Sequence, residues 1–152
     1  MPGLANDVNT NVLANLGFRE VYNYPYSHAT LLNEILAIRA QCKSSTIMCV
    51  GGGAPESGIL NLVACAKCLD ITTQTIRNEA RLYGLAYWYM TPQLSFGFSR
   101  LPQITQNIAD TGTIEANSRL SWHLNLISGG WRLGNFTALD NEKKLYKKIF
   151  LK

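Results

Sequence analysis

Residues 118–133 read SRLSWHLNLISGGWRL, a strand followed by a glycine turn and a second strand. From Leu120 to Leu126 apolar and polar side chains alternate with period two, which is typical of a strand that is buried on one face only. Residues 128–130 are a turn signal, and the short run Gly130–Leu133 follows it. The stretch therefore predicts two neighbouring strands of an antiparallel sheet.

The same pattern of short apolar runs and turn signals recurs along the chain. It predicts six further strands, Thr46–Val50, Ile59–Cys65, Cys68–Ile76, Leu82–Met90, Leu94–Ser99 and Leu145–Leu151. Several of these runs contain the β-branched and aromatic residues that are common in strands. Seven or more short strands at this spacing indicate a mainly β fold, an antiparallel β-sandwich or jelly roll.

One segment has helical rather than strand periodicity. Its apolar residues recur at a spacing that places them on one face of a helix: Leu31, Leu32, Ile35 and Ile38. Ser27 precedes the segment and is a residue type that often caps the start of a helix. The sequence thus predicts one short helix over residues 29–41.

The length of 152 residues fits one domain with one core. We divide the chain into an N-terminal arm, residues 1–26, and a single β-sandwich domain, residues 27–152. Pro25 confines a strand in the arm to a sheet edge. Such a segment can pair with its own sheet, or it can cross to a neighbouring subunit and build a homo-oligomer or filament. The residues that would make this assembly contact are Tyr22, Tyr24 and Tyr26.

Charged residues make up only 16% of the chain, against about 25% in an average domain. Asparagine and threonine supply much of the polar surface instead. The net charge is +4, and apart from the lysines of residues 143–152 the basic residues are scattered, so a nucleic-acid partner is not expected. No apolar run is long enough for a membrane span. These features favour an extracellular surface that contacts neutral polar matter.

Four cysteines, Cys42, Cys49, Cys65 and Cys68, lie close together in the sequence. We expect two disulfides, with buried free thiols or a metal site as the alternatives. The short spacings favour the pairs Cys42–Cys49 and Cys65–Cys68, while the pair Cys49–Cys65 across neighbouring strands stays open. Two disulfides imply an oxidising compartment, so we expect a secreted protein.

The residue types that catalysis usually requires do not form a recognisable set in the sequence. His123 shares a strand face with Ser121, but no G-x-S-x-G turn accompanies them. The ten acidic residues are isolated, and none of them has the pairing of a glycosidase. The glycine run 51–53 lacks the lysine of a phosphate loop. We therefore expect no enzymatic activity, no cofactor and no bound metal.

The best candidate for a binding site follows the glycine turn, where an aromatic ring stands beside polar groups. The ring of Trp131 could cover the apolar face of a sugar, while Arg132 and Asn135 supply planar hydrogen-bonding groups for its hydroxyls. His123 is the fourth candidate, with a hydrogen bond to a neighbouring residue as its alternative role. Asn135 also begins the sequence Asn-Phe-Thr, which predicts N-glycosylation at that residue.

Three motifs together resemble a recurring module of secreted β proteins to which we attach no activity: SFGF at 95–98, RLSWHL at 119–124 and GGWRLG at 129–134. The resemblance implies an extracellular β domain and does not indicate a ligand. We expect a non-catalytic extracellular module that recognises carbohydrate or another extracellular surface, such as an extracellular protein. The alternative is a self-assembling structural subunit of a fibre, sheath or matrix.

Overall fold

The computed structural model describes residues 3–91, 95–105, 109–125 and 127–152. Within these ranges the chain forms strands, three short helices and two 3₁₀ turns, Pro55–Ser57 and Ala116–Ser118. The elements in chain order are β1 (Leu4–Asn9), α1 (Thr10–Asn15), β2 (Arg19–Pro25), α2 (Leu32–Arg39), β3 (Ile47–Gly53), β4 (Ile59–Lys67), α3 (Cys68–Ile71), β5 (Arg81–Tyr83), β6 (Ala86–Thr91), β7 (Ser95–Ser99), β8 (Leu120–His123), β9 (Gly130–Leu133), β10 (Phe136–Thr137) and β11 (Tyr146–Leu151).

The strands form two antiparallel sheets. Sheet A has the strand order β1-β4-β3-β11-β2, and sheet B has the order β10-β9-β8-β7-β6-β5. Their facing sides share one main core, to which sheet A contributes Met48, Val50, Leu62 and Ile149, and sheet B contributes Trp88, Phe96, Leu120 and Trp122. The prediction of a mainly β, antiparallel sandwich is confirmed.

A second, smaller core covers the outer face of sheet A. Leu13 of α1 and Phe18 pack there against strand residues that point away from the main core: Cys49, Val63, Cys65 and Phe150. Leu13 is fully buried although α1 has only six residues. The first 20 residues therefore contribute to the hydrophobic packing of the domain.

The predicted N-terminal arm pairs with the sheet of its own chain. Strand β1 pairs with β4 from Leu4 to Asn9, and β2 pairs with β11 from Arg19 to Pro25. Both strands lie at edges of sheet A, one at each end of the strand order. The edge position of β2 agrees with the restriction that Pro25 imposes.

The helix predicted over residues 29–41 begins later and ends earlier than expected, since α2 covers Leu32–Arg39. Ser27 does not cap it, because its backbone N–H donates to the carbonyl of Glu142 and a turn joins Pro25 to His28. Instead, the carboxylate of Glu34 accepts a hydrogen bond from the backbone N–H of Leu31 at 2.7 Å. This contact satisfies one of the free donors at the start of the helix.

The predicted strand Cys68–Ile76 is wrong, because its first residues form the helix α3. The hydroxyl of Thr72 donates to the carbonyl of Cys68, and that of Thr73 donates to the carbonyl of Leu69. Threonine has a high strand propensity, but these local side-chain contacts satisfy helical carbonyls instead.

The prediction of two disulfides is confirmed, but the favoured pairing is wrong. The bonds join Cys42 to Cys68 and Cys49 to Cys65. Cys49 and Cys65 lie opposite each other in the register of β3 and β4, with their Cα atoms 4.0 Å apart. The change from strand to helix at Cys68 instead places that residue near the end of α2, where Cys42 lies. The pairing thus follows from sheet register and not from sequence spacing.

Candidate functional site

Strand β9 carries two of the predicted ligand-binding residues, and Trp131 lies in a β-bulge. Ser121 pairs with Arg132 and Trp122 pairs with Gly130, so that Trp131 falls between the two pairs. Its side chain is partly buried, and its Nε1 is buried with no acceptor among the described residues. The indole nitrogen is therefore not available at the surface as a hydrogen-bond donor to a ligand.

Arg132 is buried, and backbone carbonyls occupy its guanidinium. Nη1 donates to the carbonyls of Asp110 at 2.9 Å and Gly112 at 2.7 Å, while Nε donates to that of Gly134 at 3.1 Å. Burial lowers the pKa of Arg132, and the negative charge of Asp110 opposes this shift. The expectation that Arg132 faces a sugar is thus corrected. Its guanidinium instead holds the loop before β8 against the sheet.

A buried ion pair fastens the same loop. Nη1 of Arg119 donates to both carboxylate oxygens of Asp110, at 3.0 and 2.8 Å, and both side chains are almost completely buried. Arg119 also donates to the carbonyls of Gln103 and Ile114. Removing one partner of such a pair would leave the other charge buried without compensation. Both arginines near the predicted site are therefore structural.

His123 also makes a structural contact. Its ring is almost completely buried, and its Nε2 lies 2.8 Å from Oδ1 of Asp140. Its backbone N–H donates to the carbonyl of Gly129 at 3.2 Å. These contacts tie β8 to two loops, as the alternative role of His123 in the sequence analysis suggested.

Asn135, the fourth predicted residue, is exposed and lines a cleft between β1 and the turn that joins β9 to β10. The cleft has a volume of about 340 Å³, within the range of ligand sites. It is lined by Asn6, Asp7, Asn61, Asn117, Leu133, Gly134, Asn135 and Phe136. We call it the asparagine cleft, because asparagine is the most frequent residue in its lining.

The cleft combines hydrogen-bonding groups with an exposed ring. Nδ2 of Asn6 donates to the backbone carbonyls of Asn61 at 3.2 Å and Asn117 at 2.9 Å, which ties three separate chain segments together. The side chains of Asn117 and Asn135 are exposed, and each amide offers both donors and an acceptor. Phe136 is 52% exposed and so offers an apolar ring at the surface. A ligand could therefore find polar and apolar partners side by side.

Unusual backbone conformations surround the cleft. Asp7 has a φ of 55° in the middle of β1, and the register passes from Asn6 to Val8 without pairing it. Glu115, which precedes the turn that carries Asn117, has a φ of 49°. Non-glycine residues rarely adopt this left-handed conformation, and such residues cluster at binding and catalytic sites. These conformations are a second reason, besides its shape, to consider the cleft a functional site.

Sequence reasoning found Asn135 and missed most of the cleft. Asn6 and Asn117 are 111 positions apart, and only the folded chain brings them into contact. The one signal in the sequence was the high asparagine content, which has no positional information.

The three tyrosines predicted for assembly lie in different environments. Tyr22 and Tyr26 are buried in the main core, and burial raises the pKa of each hydroxyl. Tyr26 donates to the carbonyl of Arg132 and accepts a hydrogen bond from Nε1 of Trp122. Tyr24 is 42% exposed and stacks on the ring of His28. Of the three, Tyr24 is thus the residue that another subunit could contact.

Lys147 is a further residue to which the sequence analysis assigned no role, beyond counting it among the lysines of residues 143–152. It is fully buried, and its Nζ donates to the carbonyls of His28 and Gly129 and to Oγ1 of Thr30. Nζ also lies 5.6 Å from the centre of the Trp122 ring. Burial lowers the pKa of Lys147 to about 7, and the charge of Glu34 partly opposes this. The three acceptors make Lys147 a structural tie between β11 and two loops.

Comparisons with protein-family models, with curated proteins and with solved structures find no match. Within the described residues, no helix is long and apolar enough to cross a membrane. The same residues contain no group of three or more His, Cys, Asp or Glu side chains arranged to hold a metal ion.

Proposed function

We propose that the chain is a non-catalytic extracellular module that binds carbohydrate in the asparagine cleft. The observation that supports this best is the combination of several asparagine amides with the exposed ring of Phe136 around one cleft. The two disulfides favour an oxidising compartment, which is where such a module would act.

The chemistry of a sugar matches this lining. Its ring has an apolar face that an aromatic side chain can cover, and its hydroxyls both donate and accept hydrogen bonds. The exposed amides of Asn117 and Asn135 can satisfy these hydroxyls in both directions. Phe136 supplies the apolar contact that the sequence analysis assigned to Trp131. In this proposal Asn135 keeps its predicted role, while Trp131, Arg132 and His123 only support the surrounding fold.

The direct test is binding of the purified protein to a glycan array, followed by titration with the sugars that bind. Phe136→Ala and Asn135→Ala should each weaken binding about fivefold, since each removes one exposed contact that is worth on the order of 1 kcal/mol. Asn141→Ala removes an exposed asparagine outside the cleft and should bind as the wild type does. Failure of the folded wild type to bind any glycan would remove the proposal.

Glycosylation and ligand binding compete for Asn135 in this proposal, because a glycan attached there would lie in the cleft. Thr137→Ala removes the glycosylation sequence but leaves every lining residue in place. In a eukaryotic host, the intact mass of wild type and Thr137→Ala should differ by a glycan if Asn135 is modified. Binding should then be stronger for the unmodified variant.

The alternative function, a self-assembling subunit, has weaker support. The strands of the predicted arm pair within the chain, and two of its three tyrosines are buried. Electron microscopy of purified material distinguishes the two functions, because only the alternative predicts filaments. If filaments form and Tyr24→Ala abolishes them while the domain stays folded, the alternative gains its contact residue.

A further inference from the structure

We infer that the asparagine cleft selects an uncharged sugar with two free neighbouring hydroxyls and rejects uronic, sialic and sulfated sugars. This inference rests on the proposed function, since it assumes that the ligand is a carbohydrate. It adds the chemical class of the sugar and assigns the selection to Asp7.

The charge of the lining comes from a single residue. Asp7 is the only ionisable side chain among the residues that line the cleft, which include no Lys, Arg or His. The chain as a whole carries 14 basic and 10 acidic residues, so the lack of cations in the cleft is a local property. A carboxylate or sulfate on a ligand would meet a like charge there and no opposite one.

Two arginines that adjoin lining residues in the sequence are buried and face other parts of the fold. Arg132 adjoins the lining residue Leu133, and Arg119 lies two positions after Asn117 in the sequence. Both guanidiniums are buried and donate to Asp110 or to backbone carbonyls. Neither can turn toward the cleft without breaking these bonds. These two cations are therefore committed to the fold.

One further ion pair lies beside the cleft and does not change its charge balance. Glu115 precedes the turn that carries Asn117, and its Oε2 lies 3.8 Å from Nε of Arg100. Both side chains are about half exposed, so solvent screens the pair. Its two charges cancel and leave Asp7 as the uncompensated group.

Asp7 lies at an irregular position of strand β1. Its φ of 55° interrupts the ladder of β1 and directs the residue into the lining of the cleft. A carboxylate in this place accepts hydrogen bonds only, and two neighbouring sugar hydroxyls can donate to its two oxygens. Hydrogen bonds to a charged acceptor are stronger than those between neutral groups. The same group thus favours a neutral diol and disfavours an anionic sugar.

The test compares neutral glucose oligosaccharides with glucuronic acid and galacturonic acid oligosaccharides, titrated into the full chain at low and high salt. Wild type should prefer the neutral series by at least about fivefold, because two like charges 4 Å apart repel by about 1 kcal/mol even in water. The preference should shrink as salt screens the repulsion.

Asp7→Asn is the matched variant, because asparagine also tolerates the left-handed conformation and has nearly the same shape. It should bind the neutral series about threefold to tenfold less tightly and should lose the discrimination against the acidic series. Asp70→Asn changes the net charge equally, at a carboxylate outside the cleft, and should keep the wild-type preference.

The outcomes separate the two proposals. Binding of acidic sugars as tight as that of neutral ones, or an unchanged preference in Asp7→Asn, would overturn the selection by Asp7 and leave carbohydrate binding in place. Binding of neither series by folded wild-type protein, together with an empty glycan array, would overturn both.

Discussion

Replacing Lys147 with methionine should change how the stability of the protein depends on pH. In the folded chain burial lowers the pKa of this amine from 10.5 to about 7. Methionine has a similar length and carries no charge, so the variant removes one titrating group from the core. It also leaves the carbonyl of His28 without its lysine donor and removes one of the two donors to the carbonyl of Gly129, which adds a cost that does not depend on pH.

The sign of the effect follows from proton binding in the two states. Below pH 7 the lysine is protonated in both the folded and the unfolded chain, so its effect on stability is constant. Between pH 7 and 10.5 the unfolded chain holds a proton that the folded chain has lost. The free energy of unfolding of the wild type therefore rises with pH in this window, by up to about 1.4 kcal/mol per pH unit. The full change would be about 5 kcal/mol.

Urea unfolding of wild type and Lys147→Met between pH 6 and 9.5 measures this effect. Titrating groups that the two proteins share contribute equally to both free energies of unfolding and cancel when one is subtracted from the other. From pH 7 to 9.5 the wild type should gain about 3 kcal/mol of unfolding free energy relative to the variant. Lys148→Met changes the neighbouring lysine, which pairs with Glu20 near the surface, and should keep the wild-type slope. Parallel pH profiles for wild type and Lys147→Met would refute the reasoning.

Three further predictions concern stability. Replacing Cys49 and Cys65 together with serine opens a loop with a sequence separation of 16, and should cost about 3 kcal/mol of unfolding free energy in denaturant titrations; a loss below 1 kcal/mol would contradict this. Asp110→Ala leaves Arg119 buried without its partner and should lower stability by about 3–5 kcal/mol, whereas an unchanged melting temperature would show that solvent reaches the pair. Deleting residues 1–20 removes β1 and the apolar cover of sheet A, so we expect loss of cooperative unfolding by circular dichroism; a truncated chain that melts as the full chain does would disprove the integral role of this segment.

The sequence predicted those parts of the fold in which periodicity and burial agree. The alternation from Leu120 onward predicts a strand there, and Leu120 and Trp122 lie in the main core, but the opposite face with Ser121 and His123 is buried as well. The strand predicted over Cys68–Ile76 is wrong at Thr72 and Thr73, because their hydroxyls bond to helical carbonyls and these bonds outweigh strand propensity. Propensity alone cannot reveal such local bonds, because they depend on the turn that the backbone has already made.

The candidate site was harder to predict, for two physical reasons. Arg132, next to the bulge at Trp131, donates to backbone carbonyls of Asp110 and Gly112, and a residue's position after a glycine turn does not reveal such contacts with a distant loop. The cleft itself is built by long-range pairing, since β1 brings Asn6 beside Asn117. A single sequence contains no signal for the register of strands so far apart.

The order of strands in sheet A has a consequence for biosynthesis. Strand β11 lies between β3 and β2, so it pairs on both sides and completes the sheet. Until Tyr146–Leu151 has left the ribosome, β2 has no partner in the sheet and β3 has a free edge. Pairing of such distant segments slows folding and leaves strand edges exposed in the meantime. The nascent chain should therefore need protection from aggregation until β11 is made.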